Sequence, residues 1–271
     1  MRYIEVVAAR YYTDPFCPWS WALEPARQKL QQELGAGLRL TYVLGGMRQE
    51  LEDPQQVALA VLEASAASGM PVDARLWLRD PPRSSHPACL AVKAAAEQGD
   101  PGPYLRRLRE ASLCRQRKLE GAEELIAEAR ATPGLDLNRF KLDISSNAVL
   151  ESFGGDLDRA RAVPQEHHSD GRVKLPSLEF IGPDGTIHGV YGFADHAALS
   201  QAAMAAGASP QAPAPLTVEQ ALRDLGPLAA AEVSAVCGLP GPAARAELWR
   251  LATEWRVRSE PVGSGALWSL A

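Results

Sequence analysis

Within its first 45 residues the chain passes from a β-rich stretch to a helical one and back. Tyr3 to Thr13 concentrates β-branched and aromatic side chains and predicts a buried strand. Asp14-Pro15-Phe16 ends it as a turn. From Cys17 to Leu34, Trp21, Ala22, Ala26, Leu30 and Leu34 recur at helical spacing, and Gly35 stops the helix. Leu38 to Leu44 predicts a second strand, followed by Gly45-Gly46. Connections this short suit a parallel strand–helix–strand unit, which restricts the fold to the α/β class.

Glu50 to Ser152 reads as helices only: Gln55–Ser68, Pro87–Gln98, Pro103–Cys114, Ala122–Ala131 and Leu137–Phe140, with a short one near Asp156–Arg161. Strand character returns over Val173–Ile181. Gly182-Pro183-Asp184-Gly185 then predicts a turn and Thr186–Tyr191 the return strand of a hairpin. Asp195–Ala206 follows as a helix, capped by Asp195 and stopped by Gly207. The Pro/Ala run at 208–215 predicts a linker. Beyond it, Thr217–Leu225, Ala231–Cys237 and Pro242–Glu254 are helical, and Arg256–Arg258 and Ala266–Leu270 flank a Gly263-Ser264-Gly265 turn. Three helices and a hairpin make a winged-helix pattern. The expected organisation is a frame of residues 1–48 and 160–207, a helical insertion at 49–159, the linker, and a winged-helix-like module at 216–271.

Cys17-Pro18-Trp19-Ser20 stands where the first strand hands over to the helix. The first N–H groups of a helix lack partners and carry partial positive charge. A thiol there is expected to have a lowered pKa and to be present as the nucleophilic thiolate. Pro18 fits the first helical position, where its missing N–H is no loss. Ser20, one turn on, can offer a hydroxyl to the sulfur. Pro25, inside the helix, predicts a kink. A buried structural thiol is the alternative reading of Cys17.

The run Asp14-Pro15-Phe16-Cys17-Pro18-Trp19-Ser20-Trp21-Ala22-Leu23-Glu24-Pro25 resembles the DsbA-like group of thioredoxin-fold proteins. Within that group it most resembles the branch that contains the SpxH adaptors of the ClpXP protease. The resemblance implies a thioredoxin-like fold over roughly residues 1–207. It also implies a cis-proline at Pro176 facing the cysteine, and a substrate groove formed by Pro18, Trp19 and Leu175. The second cysteine of a dithiol motif is Ser20 here. An internal resolving thiol is therefore missing at that position, which leaves monothiol exchange: Cys17 as nucleophile, Ser20 supporting the thiolate, and a low-molecular-weight thiol such as glutathione as cosubstrate. The other reading is a non-enzymatic, SpxH-like adaptor that binds a protein client. Kappa-class glutathione transferases share the fold and a serine near this position but lack the cysteine.

The remaining candidates have structural readings. Cys89 and Cys114 fall on amphipathic helices as core residues, with a resolving role open, and Cys237 reads as core. Asp14 reads as a turn residue or proton relay, and Glu24 as a solvated helix residue or relay. Arg106, Arg107, Arg109, Arg115, Arg117 and Lys118 read as a solvated face, or as a docking surface for acidic groups. Of Trp19 and Trp21, one is expected in the core. The five histidines show no ligand spacing with the cysteines, so no metal is expected. Lys and Arg total 28 against 33 carboxylates, a net charge of −5. Residues 216–271 hold five arginines against six acids. Both counts argue against nucleic-acid binding, whose affinity rests on phosphate neutralisation. No stretch approaches the roughly 18 apolar residues of a membrane span. Met1-Arg2-Tyr3-Ile4-Glu5 lacks secretory-signal features, so a cytoplasmic location with free thiols is expected.

Overall fold

In the computed structural model, which describes residues 6–47, 53–211 and 214–271, the first strand is β1, Val7–Thr13. Residues 3–5 of its expected span lie outside the described residues. The two-residue period of a strand sends alternate side chains to opposite faces. Val7, Ala9 and Tyr11 enter one apolar cluster and Tyr12 another, so β1 is covered on both sides. Helix α1, Pro18–Ala22, is separated from α2, Glu24–Leu34, at Leu23. Pro25 causes the break, because its ring and missing N–H interrupt the helical ladder one turn back. β2, Leu38–Leu44, runs parallel to β1 in the register Val7↔Leu38 to Thr13↔Leu44.

Helices α3 (Pro54–Ser68), α4 (Arg75–Arg79), α5 (His86–Ala96), α6 (Gly102–Arg109), α7 (Ala122–Arg130), α8 (Leu137–Asp143) and α9 (Asn147–Ala162) follow. A π-helical turn at Glu110–Cys114 extends α6. α4 was not expected: its five residues are too few to show a period. α9 is far longer than the expected helix near Asp156–Arg161, because Ser146 caps it ten residues earlier through a bond to Val149 N–H. Trp77, Tyr104, Leu108 and Phe140 form the centre of this helical core, and Phe16 and Trp21 insert into it from the β1–α1 segment.

The expected strand Val173–Ile181 is two pieces. Arg172–Val173 (β4) pairs with His168–Ser169 (β3), and Ser177–Ile181 (β5) joins the main sheet. Pro176, without an N–H for the ladder, lies between them. β6, Ile187–Tyr191, returns antiparallel to β5, giving the sheet order β2-β1-β5-β6. α10, His196–Ala205, is capped by Asp195, whose carboxylate accepts from Ala198 N–H. α2 and α10 cover one face of the sheet through Leu30, Leu34, Leu199 and Ala203, and α9 covers the other through Ala160.

The C-terminal elements are α11 (Val218–Leu225), β7 (Leu228–Ala229), α12 (Ala230–Val236), α13 (Gly241–Thr253), β8 (Val257–Val262) and β9 (Gly265–Leu270). β7, too short to read from sequence, completes a sheet ordered β7-β9-β8. These elements have their own core of Val218, Leu222, Val233, Leu248 and Trp268. They are also docked on the rest of the chain. Gln28 Nε2 donates to Glu232 Oε1 at 2.8 Å, joining α2 to α12. At the hairpin tip, the Ser264 hydroxyl accepts from Val72 N–H at 2.9 Å and Ser264 N–H donates to Val72 O at 3.0 Å.

Candidate functional site

The β1–α1 turn is built by Asp14. Its Oδ1 accepts from Phe16 N–H at 2.8 Å, and its backbone carbonyl accepts from Cys17 N–H at 3.3 Å. Its Oδ2 accepts from the Ser85 hydroxyl at 2.6 Å and Met47 N–H at 3.1 Å, with the Cys89 thiol at 3.4 Å. Asp14 is thus more than a turn residue: it is wholly buried and ties the turn to α5. Cys17 caps α1, its Sγ accepting from Ser20 N–H at 3.4 Å, with Pro18 at the first helical position.

The expected lowering of the Cys17 pKa is not what this environment produces. The side chain is 3% exposed, and burial pushes the thiol up. The Ser20 hydroxyl and N–H pull the other way, Asp14 adds to the rise, and Arg109 opposes it. Loss of water around the sulfur outweighs the favourable helix end. Ser20 is fully buried beside Cys17. All four cysteines are free and buried. Burial raises the Cys89 and Cys114 thiols as well, and takes Cys237 to about 11. Cys114 Sγ donates to Pro71 O at 3.3 Å.

The Leu175–Pro176 peptide bond is cis. The β1–β5 register pairs Tyr12 with Ser177, so its continuation puts Pro176 level with Thr13, at the sheet end from which the chain runs to Cys17. Pro176 is buried; Leu175 is half-buried and packs over Gly45, where an added Cβ would meet Leu175 Cδ1 at 2.6 Å. Trp19 is half-buried, with its ring 5.3 Å from that of Phe193. Trp21 is the core tryptophan, donating Nε1–H to Pro71 O at 2.9 Å.

Beneath the turn lies a set of buried charges. Glu24 was expected to be solvated, but it is buried and bound to Arg27 at 2.7 Å and Arg109 at 2.6 Å. Burial alone would raise its pKa; Arg27 and Arg109 outweigh that and hold it at about 2. Arg109 also donates to the Thr13 hydroxyl. Arg106 stacks on Trp21, 4.4 Å from the ring centroid, and pairs with Glu110 and with Glu232 of α12. The solvated-face reading is therefore wrong for Arg106 and Arg109. The sequence did carry a signal: Arg109 shares the apolar stripe of Leu105 and Leu108, where a charge needs a buried partner.

An open groove of about 510 Å³ starts at Ala22, the last residue of α1, and is walled by α2, by the segment leading into α10, and by α12 with the turn after it. Sequence reasoning missed it, because the α2 wall lies more than 160 residues from the other two in the chain. No group of three or more metal-binding side chains is found among the described residues, and none of their helices is long and apolar enough to cross a membrane.

A four-stranded mixed sheet, a cysteine capping the first helix and a proline at the start of the facing strand define a thioredoxin-type protein. A family model described as thioredoxin matches residues 11–165, and the chain belongs to that family. It is similar to two ClpXP adapter proteins SpxH. One, from Halalkalibacterium halodurans, is 26% identical, over 95% of this chain and 86% of the relative. The other, from Shouchella clausii, is 27% identical with the same coverage. Among solved structures, a candidate protein disulfide isomerase from Nitrosomonas europaea superposes with a TM-score of 0.63 at 22% identity, covering 74% of this chain and 97% of that one. The cytosolic disulfide reductase DsbM from Pseudomonas aeruginosa gives 0.54 at 18%, covering 68% and 88%. A DsbM structure with GSH is also similar, at 0.51.

Proposed function

We propose that this protein is a cytoplasmic adaptor of the SpxH kind, which uses its thioredoxin frame to hold a client protein for proteolysis. The observation that carries this reading is the burial of Cys17. A thiol 3% exposed, with its pKa raised, is a poor nucleophile at neutral pH, whereas the groove that starts at the far end of α1 is open. The similarity to the SpxH proteins extends over 95% of the chain, so it includes the C-terminal elements as well as the frame. We read those elements, residues 216–271, as a winged-helix-like module that docks on α2 and completes the binding surface, with no role in nucleic-acid binding.

The test is genetic rescue with measured protein half-lives. In cells lacking this protein, the client's half-life should lengthen, and both the natural protein and Cys17→Ser should restore it. Failure of Cys17→Ser to restore turnover, with the variant folded, contradicts the adaptor reading.

A second reading, monothiol exchange, is favoured by one observation: Ser20 N–H donates to Cys17 Sγ from one turn on. In it the Cys17 thiolate attacks a disulfide R–S–S–R′, forming Cys17–S–S–R and releasing R′S⁻. A small thiolate such as that of glutathione then attacks the mixed disulfide, regenerating the Cys17 thiolate and leaving R joined to the small thiol. Pro176 and Leu175 would shape the site for R, with Pro18 and Trp19. Deglutathionylation turnover that disappears in Cys17→Ser supports this reading over the first.

A further inference from the structure

We propose that the groove between α2 and α12 binds an extended polypeptide segment carrying an acidic side chain two residues from an apolar one. Pro25, Ala26 and Lys29, at the three- and four-residue spacing of one face of α2, form the floor with Ala22 from the end of α1. Phe193, 40% exposed and braced by the Trp19 ring, forms one wall, and Leu239 and Pro240 form the other. Most of the lining is therefore apolar, as expected for a ligand site between two packed units.

The charge of the occupant follows from which groups are already engaged. Three titratable side chains line the groove: Lys29, Asp195 and His196. The Asp195 carboxylate caps α10 by accepting from Ala198 N–H. His196 Nε2 lies 2.7 Å from Glu33 Oε2. Lys29 is half-buried and has no ion pair among the described residues. Lys29 is the lining cation without an ion pair among the described residues, and the floor around it is apolar, which favours a carboxylate on its side of the groove beside an aliphatic or aromatic side chain. Spacing follows from geometry. Pro25 and Lys29 are four residues apart on a helix, about 6 Å along its axis. An extended chain advances about 3.3 Å per residue, so two residues cover that distance.

This rests on the adaptor reading for its meaning, but the test does not require a client or a reactive thiol. The probes are fluorescein-labelled glycine–serine decapeptides with a central Leu-Ser-Asp or Leu-Ser-Lys, measured by fluorescence polarisation on the full chain. The aspartate peptide should bind about ten-fold more tightly than the lysine peptide, the size expected for reversing one charge contact in a partly screened site. Lys29→Glu should reverse that order, and Phe193→Ser should weaken both peptides. If Lys29→Glu misfolds, Lys29→Gln should remove the preference instead. Equal binding of the two peptides, an order unchanged by substitution at Lys29, or no binding at millimolar peptide overturns the proposal. If client half-lives still depend on this protein in that case, the adaptor reading stands and the client docks elsewhere. If peptides bind as expected but no half-life changes, the groove stands and the adaptor reading falls.

Discussion

Arg109 Nη1 lies 2.6 Å from Glu24 Oε1, with the two side chains 1% and 2% exposed. This pair joins α6 to the first residue of α2, and Arg109 extends it to the end of β1 through Thr13. Glu24→Gln would leave the Arg109 charge short of its carboxylate in a dry site. The expected loss is about 3–5 kcal/mol, the usual result of breaking a buried pair, read as a lower denaturant midpoint at pH 7. The pair also sets an acid limb. The Glu24 pKa is about 2 in the folded chain, against an ordinary value of about 4.3 in the unfolded one. Its stabilisation is therefore complete above the ordinary value and is lost as pH falls toward 2. Glu24→Gln should have a shallower loss of stability across that window.

Arg106 links Trp21 to Glu232 and so ties the turn region to the C-terminal elements. Removing it strands Glu232, which is wholly buried. Arg106→Ala should destabilise the chain by about 3–5 kcal/mol and speed proteolytic cleavage in the 208–216 segment. Cleavage at the natural rate would mean that Gln28 and the hairpin tip hold the contact without this arginine.

The hairpin tip makes its own steric prediction. A Cβ on Gly263 would sit 2.8 Å from Val72 O and 3.2 Å from Asp73 Cα, both backbone atoms. Gly263→Ala should therefore destabilise by about 1–3 kcal/mol, the usual range for overpacking. At Gly241 nothing lies within 4 Å of an added Cβ. Gly241→Ala should be neutral or slightly stabilising in a thermal melt run beside Gly263→Ala.

Ser20 lies one turn from Cys17, with its N–H on the sulfur. Ser20→Cys should form an internal disulfide under mild oxidation, read as loss of two alkylatable thiols from that peptide. Retention of both thiols means that the side chains at 17 and 20 do not converge.

The main-sheet elements were legible because each carries a local signature: β-branched runs for β1 and β2, the Pro183-Asp184-Gly185 turn for the hairpin, Asp195 as a cap. Cys17 at the head of its helix was legible for the same reason, since strand, turn and proline lie within a dozen residues. Its ionisation was not. A helix end is a local property, but burial depends on Phe16 and Trp21 entering a core built by residues 57–153. Glu24, Arg106 and Arg109 were misread for a related reason: their partners lie up to 126 residues away. The groove needs α12 beside α2, a contact no local period encodes.

Cys17 is a buried thiol whose environment raises its pKa, not a poised nucleophile. The most direct measurement is the rate of iodoacetamide labelling of Cys17 in the native protein between pH 5 and 10, read by mass spectrometry of its own peptide. The predicted result is slow labelling at neutral pH and a midpoint at or above the free-thiol value of about 8.5. Rapid labelling with a midpoint below about 7, as for thiols activated at a helix end, would contradict it.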